Sequence, residues 1–368
     1  MKKLIVMYSV NRKDPEGTWS GTSCSLMTAL QKFYDVTLID LHEGIFLNTL
    51  NKLKIRMRGK AQTIVGTVYD RVTELKAAWL LRKYKNIPVL EIANEVRIRP
   101  PYYLYQDLSL VTMSKEKEKL KAIGVKGGGV RAEWSDSELN RKIALQKKIY
   151  EGAEAAFFMG NWVTESMKTI YPELKDRFYF AGGGLNSRFS VPNNLSVEDK
   201  EKTVTFIGID FERKGGDIVL KAFLRMKEKY QCEGEMYIAG PENVCAEKND
   251  SVFFLGHVTR SQLSDILKKS TVFCMPSRFE AYGLVFPEAM CYGNLCIGRN
   301  CYEMPYFISK REGLLIESDD IEKLADTMYL LLNDRKMLKK AISSVQEKRE
   351  YYSWEAVAER IAAVIDKN

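Results

Sequence analysis

Short apolar runs alternate with stretches of helical spacing along the whole chain, and the alternation starts over once. Leu4 to Tyr8, Val36 to Leu41, Val89 to Ile92, Ala155 to Met159 and Phe178 to Ala181 have the length and continuity of strands buried on both faces. Between them, Leu26 to Phe33, Val68 to Tyr84, Glu138 to Tyr150 and Val163 to Ile170 carry apolar residues at helical spacing. Residues 182–202 are rich in Gly, Asn, Ser and Pro, the composition of a linker, and a new strand–helix series opens at Val204 to Ile207. Strand–helix alternation lays strands in parallel with helices on both faces. Two such series predict an α/β protein of two doubly wound, Rossmann-like sheets facing a central cleft. A chain of 368 residues is long enough for two such cores.

Composition narrows the class. Hydrophobic residues make up 45% and charged residues 28%, as in an ordinary soluble globular protein. No stretch approaches the roughly 20 apolar residues of a membrane span. The apolar run after Lys3 is cut off by Asn11-Arg12-Lys13-Asp14 without a small-residue cleavage site, so it reads as a first strand rather than a signal peptide. The 7 cysteines are scattered, with no Cys-x-x-Cys pair, which fits reduced cytosolic thiols better than disulfides or a zinc site.

The net charge of +8 is unevenly spread: residues 1–188 hold 31 Lys+Arg against 20 Asp+Glu, or +11, and the remainder 25 against 28, or −3. Part of the surplus clusters at Lys52, Lys54, Arg56, Arg58 and Lys60, interleaved with Leu53, Ile55 and Met57. Such a patch suits an anionic membrane surface or an anionic acceptor, and equally a plain solvated surface. Nucleic acid is disfavoured, because no nucleic-acid motif accompanies the charge.

The densest chemistry lies between Met275 and Gly293. Glu280 follows an apolar run, Thr271 to Met275, and Glu288 follows Pro287, a residue suited to a helix's first turn. Between them lies Ala281-Tyr282-Gly283-Leu284, whose glycine lets backbone approach a ligand. Carboxylates accept from several sugar hydroxyls, and free backbone N–H groups suit phosphate. A nucleotide-sugar carries both groups a few bonds apart.

This segment resembles the Glu-x7-Glu motif of the retaining GT-B glycosyltransferases of family 4. Phe206-Ile207-Gly208 with Arg213-Lys214-Gly215-Gly216-Asp217 resembles that family's first strand and donor-phosphate loop. Tyr237 to Gly240 and Phe254 to Val258 resemble its next strand and nucleotide-facing loop, and Gly313 to Ile316 with Asp319 to Leu332 its closing strand and helix. The likeness covers most of residues 203–350; before that it is looser, through Trp19-Ser20-Gly21-Thr22 and Gly183-Gly184-Leu185-Asn186. It implies an acceptor-binding domain over 1–188, a linker over 189–202, a donor-binding domain over 203–350, and a last helix in 351–368 that crosses back to the first domain.

For single residues the resemblance implies that Lys214 and Arg213 neutralise the departing diphosphate, where charge accumulates as the sugar–phosphate bond breaks. Glu280 faces the donor sugar and Glu288 accepts from the ribose hydroxyls. Gly21, Gly208, Ser277 and the backbone of Ala281, Tyr282, Gly283, Leu284 and Val285 hold phosphate and sugar. His257 and Val258 lie beside the base. Two departures stand out. Ile209 and Asp210 replace an arginine usual in the family, and neither His42 nor His257 falls where many members place a histidine near the donor sugar. Asp107 is the nearest candidate for that place, as an acceptor-orienting group or as a cap; Tyr102, Tyr103 and Tyr105 beside it offer a sugar-stacking wall or core.

The sequence thus predicts a cytoplasmic, metal-independent, retaining glycosyltransferase without cofactor, taking a nucleotide-diphosphate sugar, UDP-sugar favoured. The expected acceptor is a saccharide or lipid-linked saccharide, by family habit in bacterial surface polysaccharide assembly, at the inner membrane face. Two other classes stay open: a nucleotide-sugar binder without transfer activity, and a basic peripheral membrane protein.

Overall fold

The first series of apolar runs forms β1 (Lys3–Tyr8), β2 (Asp35–Asp40), β3 (Val89–Ile92), β4 (Tyr102–Gln106), β5 (Ala155–Phe158) and β6 (Phe178–Phe180). They pair in parallel in the order β2-β1-β3-β4-β5-β6. The structure, a computed structural model, describes residues 1–42, 44–92, 96–99, 101–122, 134–185, 194–242 and 249–367. Helices α1 (Thr22–Leu30), α2 (Gly44–Arg56), α3 (Gly59–Leu81), α4 (Leu110–Ala122), α5 (Asp136–Gly152) and α6 (Asn161–Ile170) connect the strands. The core of this unit is made by apolar strand residues such as Ile5, Met7, Leu104 and Phe158, packed against Ile149, Val163 and Met167 of the helices.

β4 is a strand that the apolar runs did not announce, because three of its five residues are tyrosines. All five are buried. Tyr102 donates its hydroxyl to Ile149 O at 2.6 Å, and Tyr105 donates to Gly182 O at 2.7 Å. Each phenol thereby satisfies its one polar atom inside the core. The tyrosines are therefore core and not a sugar-stacking wall.

α2 also escaped the sequence pattern, since it turns Leu47 and Lys54 inward and leaves Ile45 and Phe46 outside. Lys54 is buried, its ammonium 4.6 Å from the Tyr69 ring centroid and 5.4 Å from that of Trp134. The aromatic faces compensate a desolvated cation. Of the basic cluster, Lys52, Arg56, Arg58 and Lys60 are exposed, but Lys54 is a packing residue and offers nothing to a membrane.

The second series gives β7 (Glu201–Ile207), β8 (Glu235–Ala239), β9 (Val252–Gly256), β10 (Ser270–Cys274), β11 (Leu295–Arg299) and β12 (Gly313–Ile316). Their order is β12-β11-β10-β7-β8-β9, again parallel. The helices are α7 (Gly216–Tyr230), α8 (Arg260–Lys269), α9 (Val285–Cys291), α10 (Met304–Phe307), α11 (Ile321–Asn333), α12 (Arg335–Ser343) and α13 (Val345–Tyr351), with α14 (Trp354–Ile365) closing the chain. The chain divides into two compact units, and α14 counts with β1–β6 rather than with its sequence neighbours. Within that unit Arg360 Nε donates to Ala181 O at 2.6 Å, and Lys32 pairs with Glu355 at 2.8 Å. Of the expected linker, residues 189–193 lie outside the described residues, as does Asn186; β7 already begins at Glu201.

Candidate active site

In the second sheet the chain runs outward in one direction through β7, β8 and β9, and in the other through β10, β11 and β12. β7 and β10 lie side by side at the reversal, and the loops leaving their C-terminal ends open a crevice there. Those two loops carry the charged residues singled out above. The first runs from Gly208 to Gly215 into α7, the second from Met275 to Leu284 into α9.

The loops are tied to each other. The Arg278 backbone N–H donates to Arg213 O at 2.8 Å. Gly215 has φ +78°, and a Cβ there would lie 2.7 Å from Pro276 O, so only glycine lets the first loop press on the second. A Cβ on Gly208 would fall 2.3 Å from Lys214 Cδ, so the bare glycine is the bed over which the lysine lies.

As a result Lys214 Nζ stands 3.5 Å from Glu280 Oε2, and Arg213 Nη1 stands 3.8 Å from the same oxygen. Arg213 is fixed by Asp210 at 2.8 Å and by Phe279 O at 2.6 Å. Asp210, one of the two residues standing where the family's arginine is usual, therefore serves to orient Arg213. All three side chains are at least four-fifths buried. Lys214 also faces Met275 Sδ at 3.8 Å, a weak acceptor. The group is preorganised and mostly desolvated, with two cations balanced by the Asp210 and Glu280 carboxylates, and Lys214, 3.5 Å from Glu280, is left to meet an arriving anion.

Glu288, in the first turn of α9, is 5% exposed. Burial pushes its carboxyl up to about 7, against the opposing pull of Arg260 and Lys214. Arg260 Nη1 lies 3.8 Å from Glu288 Oε1, beyond hydrogen-bond range. Ser277 Oγ is buried with no hydrogen-bond partner among the described residues. Gly283 has φ +93°, with a would-be Cβ 3.2 Å from Glu280 Cγ, so this turn too requires glycine. Tyr282 packs its ring 5.0 Å from that of Phe307. The Ala281–Val285 stretch therefore presents its main chain rather than the tyrosine ring. His257 is exposed and Val258 half-buried, in the loop between β9 and α8.

Two residues of this region went unnoticed in the sequence. Arg278 grips Asp217 through two bonds of 2.7 and 2.9 Å, reaches Asp319 at 2.7 Å, and donates to Glu212 O. Hydrogen bonds to Asp217 hold its guanidinium far above the ordinary arginine value. Burial works against Asp319, yet Arg299 and Arg278 bring its carboxyl below the usual range. Arg278 thus staples the second loop to the first turn of α7. Arg260 is the other. An arginine two positions before the first motif glutamate, with an acid opening the next-door helix, was the available signal for the first; nothing local marks Arg260.

In the other unit, Gly21 caps α1 with φ +90°, after Trp19 and Ser20 at φ +49° and +59°. Three successive left-handed residues, two of them not glycine, form a strained turn immediately before α1. Asp107 sits at the C-terminal end of β4, half-buried. The following helix is capped by Ser109, whose Oγ accepts from Thr112 N at 3.2 Å.

Residues 188–348 match the family model described as Glycosyl transferases group 1. An uncharacterized glycosyltransferase of Haemophilus influenzae is 25% identical over 213 residues, 55% of this chain and 60% of that one. The match spans about two fifths to three fifths of the length of such curated relatives. Among solved structures, sucrose-phosphate synthase from Thermosynechococcus elongatus superposes with a TM-score of 0.65 at 15% identity, covering 100% of this chain and 99% of that one. Anabaena HepE, solved with UDP and glucose, gives 0.62 at 13% identity over 100% of both chains. By its fold the chain is of the GT-B type, and its residues 188–348 are similar to the group 1 glycosyl transferases.

Proposed function

We propose that the chain is a retaining glycosyltransferase that takes a nucleotide-diphosphate sugar, UDP-sugar favoured, and moves its sugar to a saccharide or lipid-linked saccharide acceptor. The observation that carries this is the meeting of Lys214, Arg213 and Glu280 at the strand-order reversal of the second sheet. In this reading the acceptor oxygen attacks the anomeric carbon as its bond to the diphosphate oxygen breaks. The acceptor proton passes to the departing phosphate oxygen on the same face, which gives retention. Lys214 and Arg213 stabilise the negative charge that grows on the diphosphate. Glu280, whose buried Oε2 faces both cations without a hydrogen bond, accepts from the donor sugar's hydroxyls. Glu288, once ionised, accepts from the ribose hydroxyls. Backbone N–H groups of the Gly283–Val285 turn complete the donor's seat, and Asp107 orients the acceptor. The cations take the place of a metal, so activity is expected to survive EDTA. HepE, solved with UDP and glucose, supports the choice of uridine. Assembly of a bacterial surface polysaccharide is the setting proposed.

The test is a thermal-shift panel of UDP-, GDP-, ADP- and dTDP-sugars on the wild type and on Glu288→Ala. A ligand that binds only the folded state raises the midpoint. A shift with one nucleotide that disappears in Glu288→Ala supports the reading and names the donor. No shift with any nucleotide sinks it.

A further inference from the structure

Eight of the nineteen large hydrophobic residues that stand exposed among the described residues lie on α2 and α3. On α3, Ile64, Val68, Leu75 and Trp79 are 64, 45, 70 and 60% exposed. Their spacing of four, seven and four places all of them on one stripe, about 22 Å long. Lys60, Arg71 and Arg82 fall on the same stripe, and Arg82 lies 4.1 Å over the Trp79 ring. The opposite side of α3 is spoken for. Gln62, Gly66 and Ala77 are buried, Asp70 receives Arg141 and Lys142 of α5, and a Cβ on Gly66 would strike Glu138 of α5. α2 packs on α3 with Lys54 turned in, while Ile45 and Phe46 stay 90 and 63% exposed. A helix that meets only water does the reverse, burying isoleucine and phenylalanine and exposing lysine.

The charge is as one-sided as the apolar surface. Residues 44–85 hold ten Lys+Arg and two Asp+Glu, so 10 − 2 = +8, as much as the net charge of the whole chain. Neither acid is free: Asp70 pairs with Arg141 and Lys142, and Glu74 with Arg71 at 3.2 Å. No helix among the described residues is long and apolar enough to cross a membrane. A helix with apolar residues, a tryptophan and lysine or arginine along one face lies in a lipid interface instead of spanning it.

We infer that α3, with the outer face of α2, docks this protein on an anionic lipid bilayer. Ile64, Val68, Leu75, Trp79, Ile45 and Phe46 enter the headgroup region, while Lys60, Arg71 and Arg82 meet lipid phosphates. The inference rests on the proposed transfer to a lipid-linked acceptor for its purpose: docking brings the protein to the surface that presents such an acceptor.

Flotation of the full chain with vesicles tests this. One set is phosphatidylcholine alone, the other phosphatidylcholine with phosphatidylglycerol. The wild type is expected to float with the anionic set only, and less at high salt. Ile64→Glu with Leu75→Glu changes two exposed positions and is expected to weaken binding about tenfold or more. Lys60→Gln with Arg71→Gln and Arg82→Gln is expected to weaken it and flatten its salt dependence. Failure of the wild type to float, or equal flotation of the Ile64→Glu/Leu75→Glu protein, overturns the inference. So does a wild-type dimer in gel filtration that this double variant splits while vesicles bind neither form, since the face then belongs to a second copy. The nucleotide-induced thermal shift, measured on the same preparations, separates the two readings. Its persistence without vesicle binding overturns docking alone, and its absence from the wild type overturns the transferase.

Discussion

The two units are built from the same parts and differ in where they put their charge. Each has six parallel strands with helices between them, ordered β2-β1-β3-β4-β5-β6 in one and β12-β11-β10-β7-β8-β9 in the other. In the second, the loops that leave β7 and β10 carry Arg213, Lys214 and Glu280 to one point, and the cations are held by acids from the same loops or the helix they open. In the first, a basic surplus lies along the outside of α2 and α3, on helices rather than on the loops that leave the strands. A parallel sheet offers a ligand crevice only where its strand order reverses. Its outer helices are free to serve another purpose. Under the proposed function, the second unit concentrates charge for chemistry and the first spreads it for contact.

That contrast predicts which substitutions abolish activity and leave the fold alone. Lys214→Ala is expected to have the largest effect. Removing one preorganised stabiliser of developing charge costs roughly 10²- to 10³-fold in kcat. The lysine spans no core, so the thermal midpoint should hold. Steady-state rates with the donor found in the thermal-shift panel check this. A loss confined to KM would move Lys214 from leaving-group stabilisation to ground-state binding. Asp107→Asn, the corresponding change in the first unit, is expected to lower kcat by about tenfold to a hundredfold and to leave nucleotide binding as it was. Equal loss of nucleotide binding would break the division of labour between the units.

Glu288→Gln sharpens the comparison through pH. The carboxyl is raised by burial from 4.5 to about 7, so the folded protein binds this proton more tightly than the unfolded chain. The sign follows. Below about pH 4.5 both states are protonated and nothing is lost; as pH rises toward 7 the unfolded chain ionises first and stability falls, by about 3 kcal/mol over the whole interval. Above 7 the loss is complete. The variant, which cannot ionise, is expected to melt higher than the wild type at pH 8 without ligand. Wild-type donor affinity is expected to rise about tenfold between pH 6 and pH 8 as the carboxylate forms, and the variant to lose that rise. Calorimetric titration at both pH values measures it. A wild-type profile matched by the variant would assign the dependence to another group of the protein.

How much of this was legible in the sequence follows the same line. In the second unit the meeting of Arg213, Lys214 and Glu280 was legible, because they stand on two contiguous loops whose glycines are demanded by backbone geometry: Gly215 and Gly283 have positive φ, and Gly208 leaves room for Lys214. Such needs leave marks at fixed spacing. Arg278 escaped because its partners, Asp217 and Asp319, lie 61 and 41 residues away, and only the fold brings them together. In the first unit β4 was hidden by its tyrosines, whose hydroxyls find acceptors 47 and 77 residues away at Ile149 and Gly182. α2 was hidden by an inward lysine whose aromatic partner Trp134 lies in a distant part of the chain. Polar groups satisfied over long range look, in sequence, like surface.

Tyr105→Phe tests that last point and should have the smallest effect. Tyr105 is fully buried, with its ring edge-on to Trp19 at 6.0 Å and to Trp354 at 6.5 Å. Removing the hydroxyl leaves the Gly182 carbonyl without this donor and is expected to cost about 1–2 kcal/mol of stability. The packing of the ring is unchanged, so KM for acceptor should not move. Denaturant unfolding reads the first quantity and acceptor titration at saturating donor the second. A change in acceptor KM without loss of stability would return the tyrosine to a sugar-facing role; the expected opposite keeps it where the buried strand puts it, joining β4 to the Gly182 turn and, through Trp354, to the chain's closing helix.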